Sequence, residues 1–256
     1  MHLLASYLLP MLLAILQPQQ PQSRQHPEEV SDASFPPVVT ISFGSNRNRE
    51  YSRAVLNAGG AVWALTDHVT DEAEAELIIS ESDALIIPGS STMGGVRGRS
   101  EEMLIRAALR RHVPILGICN GEQMLNIMQG GTIKRISDRW PEAVATHHEK
   151  ISGPGQHITI REGSLLCSIF GTTSLYVNSH HKWAVDSLGR GLEIAARGDD
   201  GIVEAVEGER MLGLQFHPEI FACKGDKEFL KPFLWLVEQA SHRKQERVRT
   251  NKSIIQ

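Results

Sequence analysis

Cysteine is scarce in this sequence, with three in 256 residues, at Cys119, Cys167 and Cys223. An odd number at wide spacing excludes a disulfide framework and a cysteine-based zinc pattern. Cys167 and Cys223 read as small buried apolar residues. An excess of charge of one sign is also missing. The formal net charge is −4 with acidic and basic residues intermingled, so no basic surface for nucleic acid is implied. The one basic cluster, Arg243, Lys244, Arg247, Arg249 and Lys252, falls in residues 241–256 and reads as a solvated, frayed tail. The sequence carries no internal repeat, and no apolar run reaches the roughly 20 residues that span a bilayer.

The longest apolar run is Leu3–Leu16, interrupted by Ser6, Tyr7 and Pro10. Its length fits the h-region of a signal peptide over residues 1–16, although no Lys or Arg precedes it and no small-x-small cleavage site follows. Residues 17–37, rich in Gln, Pro and Ser, read as a linker. Export to a periplasmic or extracellular compartment is the expectation. A short membrane anchor, or a mis-assigned start and hence a cytoplasmic protein, are the alternatives.

What the sequence does have is a hydrophobic content of 41%, enough for one sizeable α/β core. Short apolar runs predict buried strands over Val38–Phe43, Ala61–Leu65, Ala84–Ile87 and Pro114–Ile118. Between and after them, helical spacing predicts helices over Glu50–Ala58, Asp71–Ile79, Glu101–Arg111 and Glu122–Met128. This alternation implies a mostly parallel sheet flanked by helices, with ligand sites at the carboxyl ends of its strands. After Gly130-Gly131 come shorter runs at His157–Arg161, Leu175–Val177, Leu192–Ala196, Ile202–Val206 and Leu212–Phe216, which look like an appended antiparallel portion. Asp199-Asp200-Gly201 is a hairpin turn signal, and Phe229–Ala240 is a closing amphipathic helix. The folded domain is therefore expected over residues 38–240.

The most informative segment is Gly117-Ile118-Cys119-Asn120-Gly121. A buried strand, a cysteine between two glycines and a following helix are the layout of a nucleophile elbow. The helix N-terminus favours thiolate, and the Asn120 backbone N–H is placed as an oxyanion donor. A thiol needs a base and the base an orienter. Phe216-His217-Pro218-Glu219 offers both, with Glu219 two residues beyond His217 and so on the same side of an extended chain. Tyr176-Val177-Asn178-Ser179-His180-His181 gathers polar groups at a strand end, where they could read a substrate. A metal site using His180 and His181 with His147, His148 or His157 is set aside, because adjacent histidines point to opposite faces and no carboxylate spacing completes it. His147 and His148 read as loop residues, and no metal or cofactor is expected.

With these motifs in view, residues from about Val38 to Ala240 resemble a class I glutamine amidotransferase-type domain, and more narrowly the γ-glutamyl-γ-aminobutyrate hydrolase (peptidase C26) family. The resemblance rests on Gly-Ile-Cys-Asn-Gly-Glu-Gln from Gly117, Val-Asn-Ser-His-His from Val177 and Leu-Gly-Leu-Gln-Phe-His-Pro-Glu from Leu212. It implies a flavodoxin-like α/β fold and a Cys119–His217–Glu219 triad. It implies backbone oxyanion donors at Gly89, Ser90 and Asn120, and a glutamyl head group held by Gln123, Asn178, Ser179 and His180. Ser90 stands where the family often has a second glycine, and Asn120 where this branch often has arginine. The implied activity is hydrolysis of a γ-glutamyl amide of a small amine or peptide through a Cys119 thioester, with homo-oligomerisation left open. The alternatives are a glutaminase that delivers ammonia to a partner synthetase, and a non-catalytic binding module on the same fold.

Overall fold

The computed structural model describes residues 35–43, 48–90, 94–147 and 155–255, with side chains described through residue 249. The readings of residues 1–16 and of nearly all of 17–37 lie outside the described residues. Phe35–Gln256 forms one compact unit.

Four short apolar strands alternate with helices: β1 (Val38–Ile41), α1 (Asn48–Asn57), β2 (Ala61–Ala64), α2 (Glu72–Ser80), β3 (Ala84–Ile87), α3 (Gly95–Arg110), β4 (Ile115–Ile118) and α4 (Asn120–Met128). Then come β5 (Thr132–Arg135), α5 (Ile136–Arg139), a 3-10 turn (Pro141–Ala143) and α6 (Val144–His147). The chain continues through β6 (Gln156–Ile160), α7 (Leu165–Phe170), β7 (Ser174–Val177), β8 (Trp183–Ser187), β9 (Leu192–Gly198), β10 (Val203–Gly208) and β11 (Met211–Leu214). It closes with α8 (Glu219–Ala222) and α9 (Lys227–Ile255).

Nine strands form one sheet in the order β2-β1-β3-β4-β11-β10-β9-β6-β7. The pairs β1–β2, β1–β3, β3–β4 and β4–β11 are parallel, which is the flavodoxin-like order with β11 as fifth strand. β10, β9, β6 and β7 continue it antiparallel, and β5 pairs with β8 in a second small sheet. This is the expected α/β class with its antiparallel extension.

Side-chain alternation divides the core between the two faces of the sheet. Ala84 and Ile86 of β3 pack in one layer with Tyr51, Val55, Phe233 and Leu236. Leu85 and Ile87 pack in the other with Ile79, Leu104 and Leu125. All four β3 side chains are therefore buried, which is why that run is continuously apolar. Asp71 caps α2 by accepting from the Glu74 amide at 2.8 Å.

Two helices outrun their sequence signals. α3 starts at Gly95, not Glu101, because Gly95 and Gly98 mask the periodicity of its first turn. α9 continues to Ile255, well past Ala240, and Arg243, Lys244 and Arg247 are docked on the fold and not part of a frayed tail. Arg243 donates to the Ser82 carbonyl at 2.8 Å and Arg247 to the Ser80 carbonyl at 3.1 Å. These carbonyls lie at and just past the end of α2, where backbone acceptors lack intrahelical donors and cations are favoured. Lys244 is buried, with Nζ 3.4 Å from the Pro36 carbonyl. β5, β8 and α5 to α7 carry no periodic signal long enough to announce them.

Asp83 ties this clamp to the sheet. It is buried, accepts from the Val38 amide at 2.9 Å and lies 3.2 Å from Arg247. We expect Asp83→Ala to lower the urea-unfolding free energy by about 2–3 kcal/mol, since a charged acceptor and the donors it serves lose their bonds together. Adding Arg247→Ala should then cost less than it does in the parent protein.

Candidate active site

The turn between β4 and α4 is set by how closely three backbones approach. A Cβ on Gly121 would lie 2.0 Å from the Ile87 carbonyl oxygen, and one on Gly117 would lie 2.6 Å from the Gly121 carbonyl. Between these glycines Cys119 is forced to φ 54° and ψ −104°, a conformation a side-chain-bearing residue adopts only under constraint. Its amide donates to the Leu214 carbonyl at 2.7 Å, pinning the elbow to the end of β11. Asn120 is the first residue of α4, so its N–H has no intrahelical acceptor.

His217 follows β11 by three residues and is held by its backbone. Asn178 donates its side-chain amide to the His217 carbonyl at 3.0 Å, and the His217 amide donates to Asn178 Oδ1 at 2.8 Å. The imidazole Nδ1 lies 2.8 Å from Glu219 Oε1, and both side chains are buried. The carboxylate gets there by a different route from the extended chain expected. Pro218 is in the αR region and Glu219 opens α8, so a helical turn brings it under the ring. Burial works against charge on His217 and is the largest influence on it. The charges of Glu219 and Cys119, with hydrogen bonds to both, prevail and raise its pKa from 6.5 to about 10.

The loop after β3 closes the site. A Cβ on Gly89 would sit 2.7 Å from His217 Cε1 and 3.4 Å from Cys119 Cβ, so only glycine fits there without displacing the imidazole. The loop carbonyls are held by buried Arg97 of α3. Its Nη2 donates to Pro88 O at 2.9 Å and Nη1 reaches Gly89 O at 3.4 Å, while Nε donates to Glu101 at 2.8 Å. In a trans peptide the N–H opposes the preceding C=O. With both carbonyls turned to Arg97, the Gly89 N–H points to the Tyr51 hydroxyl at 3.0 Å and the Ser90 N–H points away from Arg97. Gly89 therefore leaves the expected oxyanion set, because Tyr51 takes its amide. Burial, then the charge of Glu219, keeps the Tyr51 hydroxyl protonated well above its ordinary range.

Of the residues expected to hold a glutamyl head group, Gln123, Asn178 and Ser179 are hydrogen-bonded to other parts of the protein. Gln123 is buried and donates its amide nitrogen to the Trp183 carbonyl at 2.7 Å. Asn178 is turned to the His217 backbone, and Ser179 is fully buried with Oγ 2.8 Å from His147 Nδ1. His180 is exposed. The turn after β7 thus supports the protein's own frame. His147 is no loop residue either: it ends α6, fully buried; His148 lies outside the described residues. Glu122, in the first turn of α4, is also fully buried, and burial together with the charges of Glu204 and Cys119 pushes its carboxyl well above the usual range. Sequence reasoning passed over Tyr51, Arg97 and Glu122. Each lies on a helix where its phase marks it only as inward-facing.

A cysteine elbow at the end of β4, a histidine–carboxylate pair after β11 and the flavodoxin-like strand order define a glutamine amidotransferase-type fold. A solved chain of Thermoplasma acidophilum, provisionally named as one subunit of a GMP synthase, superimposes with a TM-score of 0.62 over 83% of this chain and 98% of its own, at 17% identity. The chain belongs to the Peptidase C26 family, whose model matches residues 92–219 and so includes Cys119, His217 and Glu219. It is 30% identical over 217 residues to a γ-glutamyl-γ-aminobutyrate hydrolase of Escherichia coli O157:H7, covering 72% of this chain and 85% of the relative. A Lactococcus lactis protein, provisionally named glutamine amidotransferase-like, is 36% identical over 141 residues, half of this chain and 55% of that protein's length. The protein is accordingly a hydrolase of the glutamine amidotransferase-like type.

The His217 shift has a definite sign. Folding raises the pKa from 6.5 to about 10, so the stability contributed by its protonation is complete below about pH 6.5 and is lost as pH rises through about 10. A nitrogen-resolved imidazole titration should show His217 protonated until about pH 10, with the midpoint in Glu219→Gln falling by more than one unit. A midpoint near 6.5 in the parent protein would contradict this geometry.

Proposed function

We propose that the protein hydrolyses the γ-glutamyl amide bond of a γ-glutamyl amine or peptide through a thioester on Cys119. The observation that carries this reading is the His217–Glu219 bond of 2.8 Å beside a strained cysteine elbow, with His217 kept protonated to about pH 10. The likeness to a named γ-glutamyl-γ-aminobutyrate hydrolase supports the choice of bond.

In this scheme His217 holds the proton taken from the Cys119 thiol. The thiolate adds to the γ-carbonyl carbon, and the oxygen takes up negative charge opposite the Ser90 and Asn120 amides. The carbon–nitrogen bond breaks as His217 gives its proton to the leaving amine. Water then loses a proton to His217 and adds to the thioester, the carbon–sulfur bond breaks, and glutamate leaves with the thiolate restored. Glu219 steadies the imidazolium in both halves. Arg97 and Tyr51 act at one remove, by fixing the peptide planes of the loop that carries the Ser90 amide.

The test is turnover of a panel of γ-glutamyl amines, γ-glutamyl peptides and free glutamine, with mass spectrometry for an acyl adduct on Cys119. Cys119→Ala should abolish turnover. Gly89→Ala should fold yet lose about 100-fold in kcat, because a displacement of about 1 Å at a catalytic group costs that much. Full activity in Cys119→Ala with no adduct on the parent enzyme sinks the scheme. Glutamine turnover that rises only with an added synthetase would place the protein among ammonia-delivering glutaminases.

A further inference from the structure

Behind the active site, three segments distant in sequence converge on one buried point. α6 ends in His147, the turn after β7 carries His181, and β10 carries Glu204, with exposures of 0%, 6% and 0%. One atom from each lies within 4.8 Å of the other two. Each histidine has one nitrogen on a fixed acceptor: His147 Nε2 is 2.7 Å from Asp200 Oδ2, and His181 Nδ1 is 2.9 Å from the Trp183 carbonyl. Those acceptors place the ring protons there and leave lone pairs on His147 Nδ1 and His181 Nε2. Both nitrogens lie near the same oxygen, Glu204 Oε1, at 3.6 and 3.5 Å; His147 Nδ1 also has Ser179 Oγ at 2.8 Å and Gln156 Nε2 at 3.4 Å, whereas His181 Nε2 has only the carboxylate before it. Among the described residues, neither carboxylate oxygen of Glu204 has a hydrogen-bond partner, and nor does His181 Nε2.

Lone pairs held against a carboxylate in a buried site repel unless positive charge lies between them. A proton would draw nitrogen and oxygen together to about 2.7–2.9 Å. The observed separations are too long for that. They are close to the roughly 3.3 Å between ligand atoms around a tetrahedral ion with bonds of about 2.0–2.1 Å. The outer groups also suit a metal, since ligand histidines commonly donate their second N–H to a carboxylate or a backbone carbonyl.

We infer that His147 Nδ1, His181 Nε2 and the Glu204 carboxylate form a structural site for a divalent cation of the zinc class, with Asp200 and the Trp183 carbonyl orienting the two rings. Ser179 Oγ, 2.8 Å from His147 Nδ1, gives up that bond on metal binding, and water completes the coordination. The sequence argument against a metal weighed the adjacent pair, and of that pair His180 is exposed and His181 buried. It could not foresee a carboxylate delivered by β10. A metal here would fasten the turn whose first residue, Asn178, grips the His217 backbone.

The experiment uses the full chain carrying Cys119→Ala, so that the elbow thiol does not compete. After chelation and dialysis it is titrated with Co²⁺ and with Zn²⁺. We expect one equivalent bound, visible absorption bands of four-coordinate cobalt and a rise in Tm with zinc. Asp200→Asn should bind about 10–100-fold more weakly, and Glu204→Gln and His181→Gln should lose stoichiometric binding while keeping the parent circular dichroism. Weak binding of equal strength in the parent and in the folded variants, or no cobalt bands and no Tm shift in the parent, overturns the inference. So does uptake that follows Cys167 or Cys223 instead of the histidines. None of these results bears on the chemistry proposed for Cys119.

Discussion

β3, β4 and the start of α4 approach one another more closely than any side chain would permit, and the site depends on that contact. The Gly121 position lies against the Ile87 carbonyl, so the helix can enter only if residue 121 has no side chain. That entry angle leaves Cys119 with a positive φ and its amide aimed at Leu214. The same bond fixes the end of β11 beside the elbow, and with it the place where His217 leaves the sheet. Backbone strain of this kind costs of order 1–3 kcal/mol and survives because packing on both faces of the sheet leaves no relaxed alternative.

A second layer of order comes from polar groups that have given up water. Glu122, Gln123, Asn178, Ser179, Glu204, Gln215 and Glu219 are all buried around the elbow. The bonds that hold the site run between segments: Gln123 to β8, Asn178 to His217, and, beside them, Gly89 to Tyr51 and Arg97 to the loop after β3. In a low-dielectric interior such bonds are strong when made and costly when broken, so they hold geometry more stringently than apolar contacts do. Asn178 is a clear case, since it meets both the donor and the acceptor of one backbone residue.

The parallel half of the sheet, the elbow and the histidine–carboxylate pair were legible in the sequence because each is a local pattern. Apolar runs bounded by turns mark the strands, and glycines at Gly117 and Gly121 mark the turn. His217 and Glu219 sit two residues apart, so any compact path joins them, although the path taken is helical. What stayed hidden is made by tertiary contact. Tyr51 and Arg97 look like ordinary members of their helices until the loop after β3 is placed over them, and Glu122 until β10 and β11 are. His147, His181 and Glu204 have no shared spacing, and only the β6–β9–β10 arrangement brings them together. The substrate roles implied for Asn178 and Ser179 came from resemblance, and the side chains prove to face the protein. The length of α9 was hidden because its later turns bury few apolar groups and dock through arginines and a lysine.

That docking also decides which way the molecule faces. Arg243, Lys244 and Arg247 grip Ser82, Pro36 and Ser80, at the amino ends of β1 and β3, while Cys119 and Gly89 lie past the carboxyl ends of β4 and β3. Phe35 lies just ahead of β1, at the amino ends of the parallel strands and so at the end opposite the reactive thiol. The fold thus separates the end at which it is fastened from the end at which it reacts, so a change made at one need not disturb the other.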